Sequence, residues 1–165
     1  VRRLVVVAGG LAVAIAVSVW WRSDERRIGR ALDRLERACE KDGPDGALEL
    51  LSRTATIIDA FAPGLLISAA PYEGSIRDAR ELAGLVHRYR GTAEQVRISD
   101  RERELRVSPG GTAEMSAVFA IDGTRGGSPG RESFRARLFW VEVEGEWKIR
   151  EVEVIEVLDR GGTIF

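Results

Sequence analysis

Cysteine and histidine are almost missing from this 165-residue chain, which has one of each. A lone cysteine, Cys39, excludes an internal disulfide and any cysteine-based zinc cluster. A lone histidine, His87, excludes a metal site built from several histidines, so neither a metal nor a cofactor is expected. A surplus of charge is also lacking. Lys and Arg number 25 against 26 Asp and Glu, so no net basic field exists to attract nucleic acid, and that partner is not expected. There is no internal repeat, no long low-complexity tract and no phosphate loop. Gly123, Gly126, Gly127 and Gly130 crowd one stretch, but no Lys follows them and no parallel strand-to-helix unit surrounds them.

What is present has the balance of a globular protein: 44% apolar and 31% charged residues. The length suits one domain. Residues 4–21 read LVVVAGGLAVAIAVSVWW without a charge. At about 1.5 Å per residue, such a run spans roughly 27 Å, close to the hydrocarbon core of a bilayer. Arg2 and Arg3 precede it, Arg22 follows it, and Trp20 and Trp21 sit where an interfacial aromatic belt belongs. These five residues are the expected membrane interface. A cleaved signal peptide competes with this reading, since Ala14-Ile15-Ala16 fits a cleavage site. The apolar run, however, continues through Val17 and Val19 into the two tryptophans. The sequence thus predicts an anchor over 1–22, a folded domain over 23–160 and a loose tail over 161–165. The short basic N-terminus places the domain outside the cytoplasm, in a periplasmic setting, as a single-pass cell-membrane protein. Arg22, Arg26, Arg27 and Arg30 pull toward the opposite topology.

Within the domain, Ile28, Ala31, Leu32, Leu35, Ala38 and Cys39 follow helical spacing over 24–41. Gly43-Pro44 ends that helix. A second helix is expected over 45–60, with Leu48, Leu51, Ala55 and Ile58 on its buried face. A short strand follows over 65–70. Ser75 is the expected N-cap of a third helix, which buries Ile76, Ala79, Leu82, Ala83, Val86 and Tyr89. Beyond Gly91 the period changes from 3.6 to 2. Charged strand sequence covers 96–107, and Pro109-Gly110-Gly111 marks a turn. Ala113, Met115, Ala117, Phe119 and Ile121 then alternate with polar or small residues. A loop is expected over 122–130, strands over 132–144 and 147–158, and a hairpin turn at Glu144-Gly145-Glu146. Both last strands change apolar phase: Phe134, Ala136, Leu138 and Trp140 give way to Phe139, Val141 and Val143, and Trp147 and Ile149 give way to Val152 and Val154. Bulges or a bend would produce such shifts. The expected fold class is α+β: an N-terminal transmembrane helix, then three helices on a strongly curved antiparallel sheet.

This order of elements resembles the nuclear-transport-factor-2-like superfamily, a cone-shaped fold also called cystatin-like. Tyr72-Glu73-Gly74-Ser75-Ile76-Arg77 resembles its segment where a glycine precedes an apolar helix start. Gly145-Glu146-Trp147-Lys148-Ile149 is similar to its glycine turn and tryptophan strand. The layout also resembles the inner-membrane assembly factors of type IV secretion systems, although this chain has almost no cytoplasmic tail. The resemblance implies either a binding or assembly module, with a homodimer or protein partner on the outer sheet face, or a pocket enzyme such as an isomerase, dehydratase or hydrolase acting on a small hydrophobic molecule.

Five residues are ligand-pocket candidates, each with a plainer reading. Asp59 could stand at a pocket mouth or be an exposed helix-end carboxylate. His87 lies at the boundary of an apolar arc, where a structural histidine is ordinary. Tyr72 could donate to a ligand or pack in its turn. Trp140, like Trp147, could line a cavity or fill core. Glu153 could pair with Glu151 inside the cone, where like charges would raise one pKa, or face water if a bulge intervenes. No convergent acid–base set stands out, so no catalytic residue is named. The sequence favours a non-catalytic binding or assembly module.

Overall fold

The computed structural model describes residues 23–69 and 75–161. Its elements are α1 (Asp24–Cys39), β1 (Lys41–Asp42), α2 (Ala47–Asp59), β2 (Phe61–Ala69), β3 (Ser75–Ile76), α3 (Ala79–Thr92), β4 (Gln95–Ser108), β5 (Thr112–Arg125), β6 (Ser128–Val143) and β7 (Glu146–Gly161). The strands form one seven-stranded sheet in the order β1-β4-β5-β6-β7-β2-β3.

Two parts of the expected fold class are corrected. Among the described residues no helix is long and apolar enough to cross a membrane, so the expected transmembrane helix is not part of the described architecture. The 4–21 stretch behind that expectation lies outside the described residues, together with Arg2, Arg3, Trp20, Trp21 and Arg22. The sheet is also mixed instead of wholly antiparallel. β2 runs parallel to β7, with Ile67 beside Val152 and Ser68 beside Glu153. It leaves the end of α2 directly in that direction, and the Ile149 amide bonds the Ala60 carbonyl at 2.9 Å as the pairing begins.

The alternating residues of β5 and β6 build the concave face. Ala113, Met115, Ala117 and Phe119 lie opposite Trp140, Leu138, Ala136 and Phe134. Ile28 and Leu32 of α1 pack onto them, with Met115, Ile28 and Ile149 completely buried and Trp140 1% exposed. Each such side chain contributes about 1.5–3 kcal/mol by leaving water.

β7 supplies the bend. It places 16 residues (146–161) opposite 13 of β6 (131–143), and the three extra ones are Arg150, Ile155 and Leu158. The bulge at Arg150 lets Ile149 and Val152 both face inward, opposite Trp140 and Leu138. It also turns Glu151 and Glu153 outward. In β6 no shift occurs. Phe139 and Val141 sit half-buried on the outer face, opposite Glu114 and Thr112, while the inner alternation continues.

The turns follow from glycine. The expected 122–130 loop is a two-residue hairpin, with Arg125 opposite Ser128. Gly126 and Gly127 take φ of 57° and 74°, which this turn geometry requires at both positions. The third helix starts later than expected. Ser75 belongs to β3, and Asp78 is the N-cap, its carboxylate accepting from the Arg80 and Glu81 amides at 2.8 and 2.9 Å. The expected buried face of α2 is wrong by a rotation. Thr54 and Ile57 face inward, leaving Leu48 84% and Leu51 60% exposed. α2 packs against α1 and α3 more than against the sheet, so its neighbours select a different side.

A buried cation ties the helices together. Arg90, with a side chain 1% exposed, meets Asp45 through Nε and Nη2 at 2.7 and 2.9 Å. Its Nη1 donates to the carbonyls of Ala38, Glu40 and Cys39 at 2.9, 3.3 and 3.4 Å, acceptors that the end of α1 leaves unpaired. Lys41, also buried, donates to the carbonyls of Arg90 and Ala93. Replacing Asp45 with Ala leaves the guanidinium buried without its counter-ion, and unfolding stability is expected to fall by about 3–5 kcal/mol. Denaturant titration checks this, and a loss under about 1 kcal/mol would show that Arg90 holds through the carbonyls alone.

Candidate functional site: a basic groove at the rim of the cone

Arg27, Arg30 and Arg34 recur every three to four residues along α1, so they share one side of the helix while Ile28 and Leu32 enter the core. Opposite them lies the end of α2, with Ala55, Thr56, Asp59 and Ala60. The tight β6–β7 turn brings Gly145, Glu146, Trp147 and Lys148 up to close the third side. Together these residues line an open groove of about 490 Å³.

The groove is polar along its rim and apolar beneath. Arg27 is fixed to the scaffold: it bonds Asp24 and Glu142 at 2.9 Å each and donates to the Gly145 carbonyl. The Trp147 indole is fixed too, its Nε1 donating to Asp24 at 3.1 Å. Lys148 Nζ lies 2.7 Å from Asp59 and 3.7 Å from Glu146. The hydrogen bond to Asp59 holds the Lys148 ammonium above its usual pKa. Arg30 and Arg34 are exposed. Four cations and two carboxylates therefore face this concavity.

A second charged cluster sits between α1 and β4. β4 carries a two-residue irregularity between Arg101 and Glu104, and Glu102 adopts a left-handed φ of 56°. The kink turns Arg103 back to grip Asp100 at 2.7 and 2.8 Å and Asp33 at 3.4 Å. Glu36 of α1 joins them, with one carboxyl oxygen buried and unpartnered among the described residues. Burial first, and then the neighbouring Asp100 charge, push the Glu36 carboxyl from the ordinary 4.5 up to about 7. None of these four residues lines the groove.

The four pocket candidates among the described residues do not converge. Asp59 stands at the groove rim, paired with Lys148. His87 is exposed on α3. Trp140 is core, its indole nitrogen unpartnered among the described residues. Glu153 is on the outer face, 3.4 Å from Arg137. Tyr72 lies outside the described residues. Sequence reasoning passed over Arg30, Arg34, Lys148, Glu36 and Asp100. The spacing of the arginines was visible, but only the fold brings Lys148 and Ala60 across from them. Among the described residues no group of three or more His, Cys, Asp or Glu is placed to hold a metal ion.

No protein-family model matches the sequence, and no curated protein resembles it. Solved structures do resemble the fold. A nuclear-transport-factor-2-like protein with a cystatin-like fold from Novosphingobium aromaticivorans gives a TM-score of 0.64 at 12% identity, over 85% of this chain and 86% of that one. A protein provisionally assigned as a scytalone dehydratase, from the same organism, gives 0.61 at 12%, over 88% and 89%. A protein provisionally assigned as a calcium/calmodulin-dependent protein kinase II association domain, from Xanthomonas campestris, gives 0.64 at 12%, over 80% and 86%. The fold is therefore nuclear-transport-factor-2-like, with the cystatin-like architecture of three helices and a bent sheet.

The Glu36 cluster generates a pH test. A carboxyl whose folded pKa is raised holds its proton more tightly in the folded state. That contribution is complete below the unfolded pKa near 4.5 and is lost as pH rises through about 7. Glu36→Gln, which mimics the protonated form, is expected to raise Tm at pH 8 and leave it nearly unchanged at pH 4.5. Thermal melts at both pH values check this. An equal gain at both, or a loss at pH 8, contradicts the assignment.

Proposed function

We propose that this chain is a non-catalytic binding or assembly module of the nuclear-transport-factor-2-like fold, working through its surfaces and not through an enclosed reaction chamber. The observation that carries this reading is the packed cone. Ile28, Leu32, Met115, Trp140 and Ile149 are each at most 1% exposed and occupy the hollow between α1 and the sheet. A pocket enzyme acting on a small hydrophobic molecule needs that space, together with an acid or base facing it. The packing weighs against that alternative, although a structural neighbour carries a dehydratase name.

The outer face of β5, β6 and β7 suits a protein contact. Phe139 and Val141 are half-buried there and form its apolar strip, while Val118 and Ala120 farther along β5 are already covered. Around this strip, Arg137 bridges Glu114 at 3.3 Å and Glu153 at 3.4 Å, and Arg135 meets Glu102 at 3.1 Å. A face of mixed sign with an apolar strip can complement itself across a two-fold axis, so a homodimer is the favoured assembly. Sedimentation of the full chain is expected to give a dimer at tens of micromolar, and Phe139→Arg is expected to shift it at least tenfold toward monomer. A wild-type chain that sediments as a monomer throughout that range excludes this assembly.

A further inference from the structure

We propose that the groove between α1, α2 and the β6–β7 turn binds a small amphiphilic organic anion, its carboxylate or phosphate head held by Arg30, Arg34 and Lys148. The apolar body lies over Ala31, Leu35 and Ala60. The site stands independently of the sheet face, because it occupies the rim of the cone and not the outer surface of the strands.

Charge is the first reason. The lining carries Arg27, Arg30, Arg34 and Lys148 against Asp59 and Glu146, a surplus of two positive charges in a chain whose net charge is -1. A concave site with a surplus of one sign concentrates counter-ions more than a flat patch does. Geometry is the second reason. Arg27 and Trp147 are tied to Asp24, so the wall is organised before any ligand arrives. A guanidinium matches the planar, two-oxygen face of a carboxylate or phosphate. The volume, about 490 Å³, lies in the range of small-molecule sites. Composition is the third. Ala31, Leu35, Ala55, Ala60 and Trp147 give the groove an apolar floor that a bare inorganic ion would leave uncovered.

Asp59 already occupies Lys148, as a resident carboxylate whose own side chain is 65% exposed. It stands where the head group of a ligand would compete. Its removal is therefore expected to strengthen binding, the opposite of what loss of a scaffold residue does.

Calorimetric titration of the full chain tests this with four probes below their micelle-forming concentrations: dodecanoate, dodecyl phosphate, inorganic phosphate and dodecyltrimethylammonium. Saturable binding of dodecanoate or dodecyl phosphate is expected. Inorganic phosphate is expected to bind at least tenfold more weakly, and the cationic amphiphile not measurably. If dodecyl phosphate exceeds dodecanoate tenfold, the head group is a phosphate; the reverse assigns a carboxylate. The double variant R30E/R34E is expected to lose at least tenfold in affinity while staying folded by circular dichroism, and Asp59→Ala is expected to gain severalfold. Arg34→Gln, a milder change, is expected to lose about threefold. Equal binding of the cationic amphiphile, unchanged affinity in R30E/R34E, or no saturable binding of either anionic amphiphile overturns the proposal.

Discussion

The seating of one side of α1 in a bent sheet governs the rest of this structure. Ile28 and Leu32 have no other route out of water, and the strands cannot bury Met115, Leu138 and Trp140 without a helix over them. A straight ladder would leave the far ends of β6 and β7 away from the helix. The three extra residues in β7 lengthen one strand against its partner and turn the ladder toward α1. The same bulge at Arg150 decides the chemistry of the sheet. It keeps Val152 inside and sends Glu151 and Glu153 outside, where Arg137 pairs the latter.

Closing the hollow around α1 leaves concavities at the rim. With Trp140 and Met115 filling the centre, the remaining concavities are lined by the ends of elements, where polar backbone and charged side chains collect. Arg90 shows how this is stabilised. Its guanidinium satisfies the last carbonyls of α1 and a partly buried Asp45 together, so these acceptors at the end of α1 are paired from α3. The opposite end of α1 is organised in a similar way, by Asp24 accepting from both Arg27 and Trp147. The basic groove lies beside that second junction.

The two charged clusters of α1 use opposite physics. In the groove, cations gather in an open site where solvent softens their repulsion. Between α1 and β4, carboxylates gather in a partly closed site where burial raises the pKa of Glu36 and one guanidinium, Arg103, offsets the crowding. Helical spacing produces both, since Arg27, Arg30 and Arg34 occupy one flank of α1 and Asp33 and Glu36 another.

Much of the fold was legible in the residues themselves. The apolar spacing of Ile28 and Leu32 marked α1, the alternation from Ala113 to Ile121 marked β5, and the displaced phase between Ile149 and Val152 marked a bulge. These are local signals, in which side-chain period and turn chemistry determine which residues point the same way. The exposed side of α2 and the parallel pairing of β2 were not legible. Leu48 and Leu51 have the same helical spacing as Thr54 and Ile57, and only packing against α1 and α3 separates them. The groove was hidden for the same reason. Arg34 and Lys148 are 114 positions apart, and the Asp59–Lys148 pair spans 89. Sequence by itself determined the elements and most of their faces, because these depend on neighbours three or four residues away. Tertiary structure alone decided which faces meet, because that depends on how distant elements divide a limited core among them.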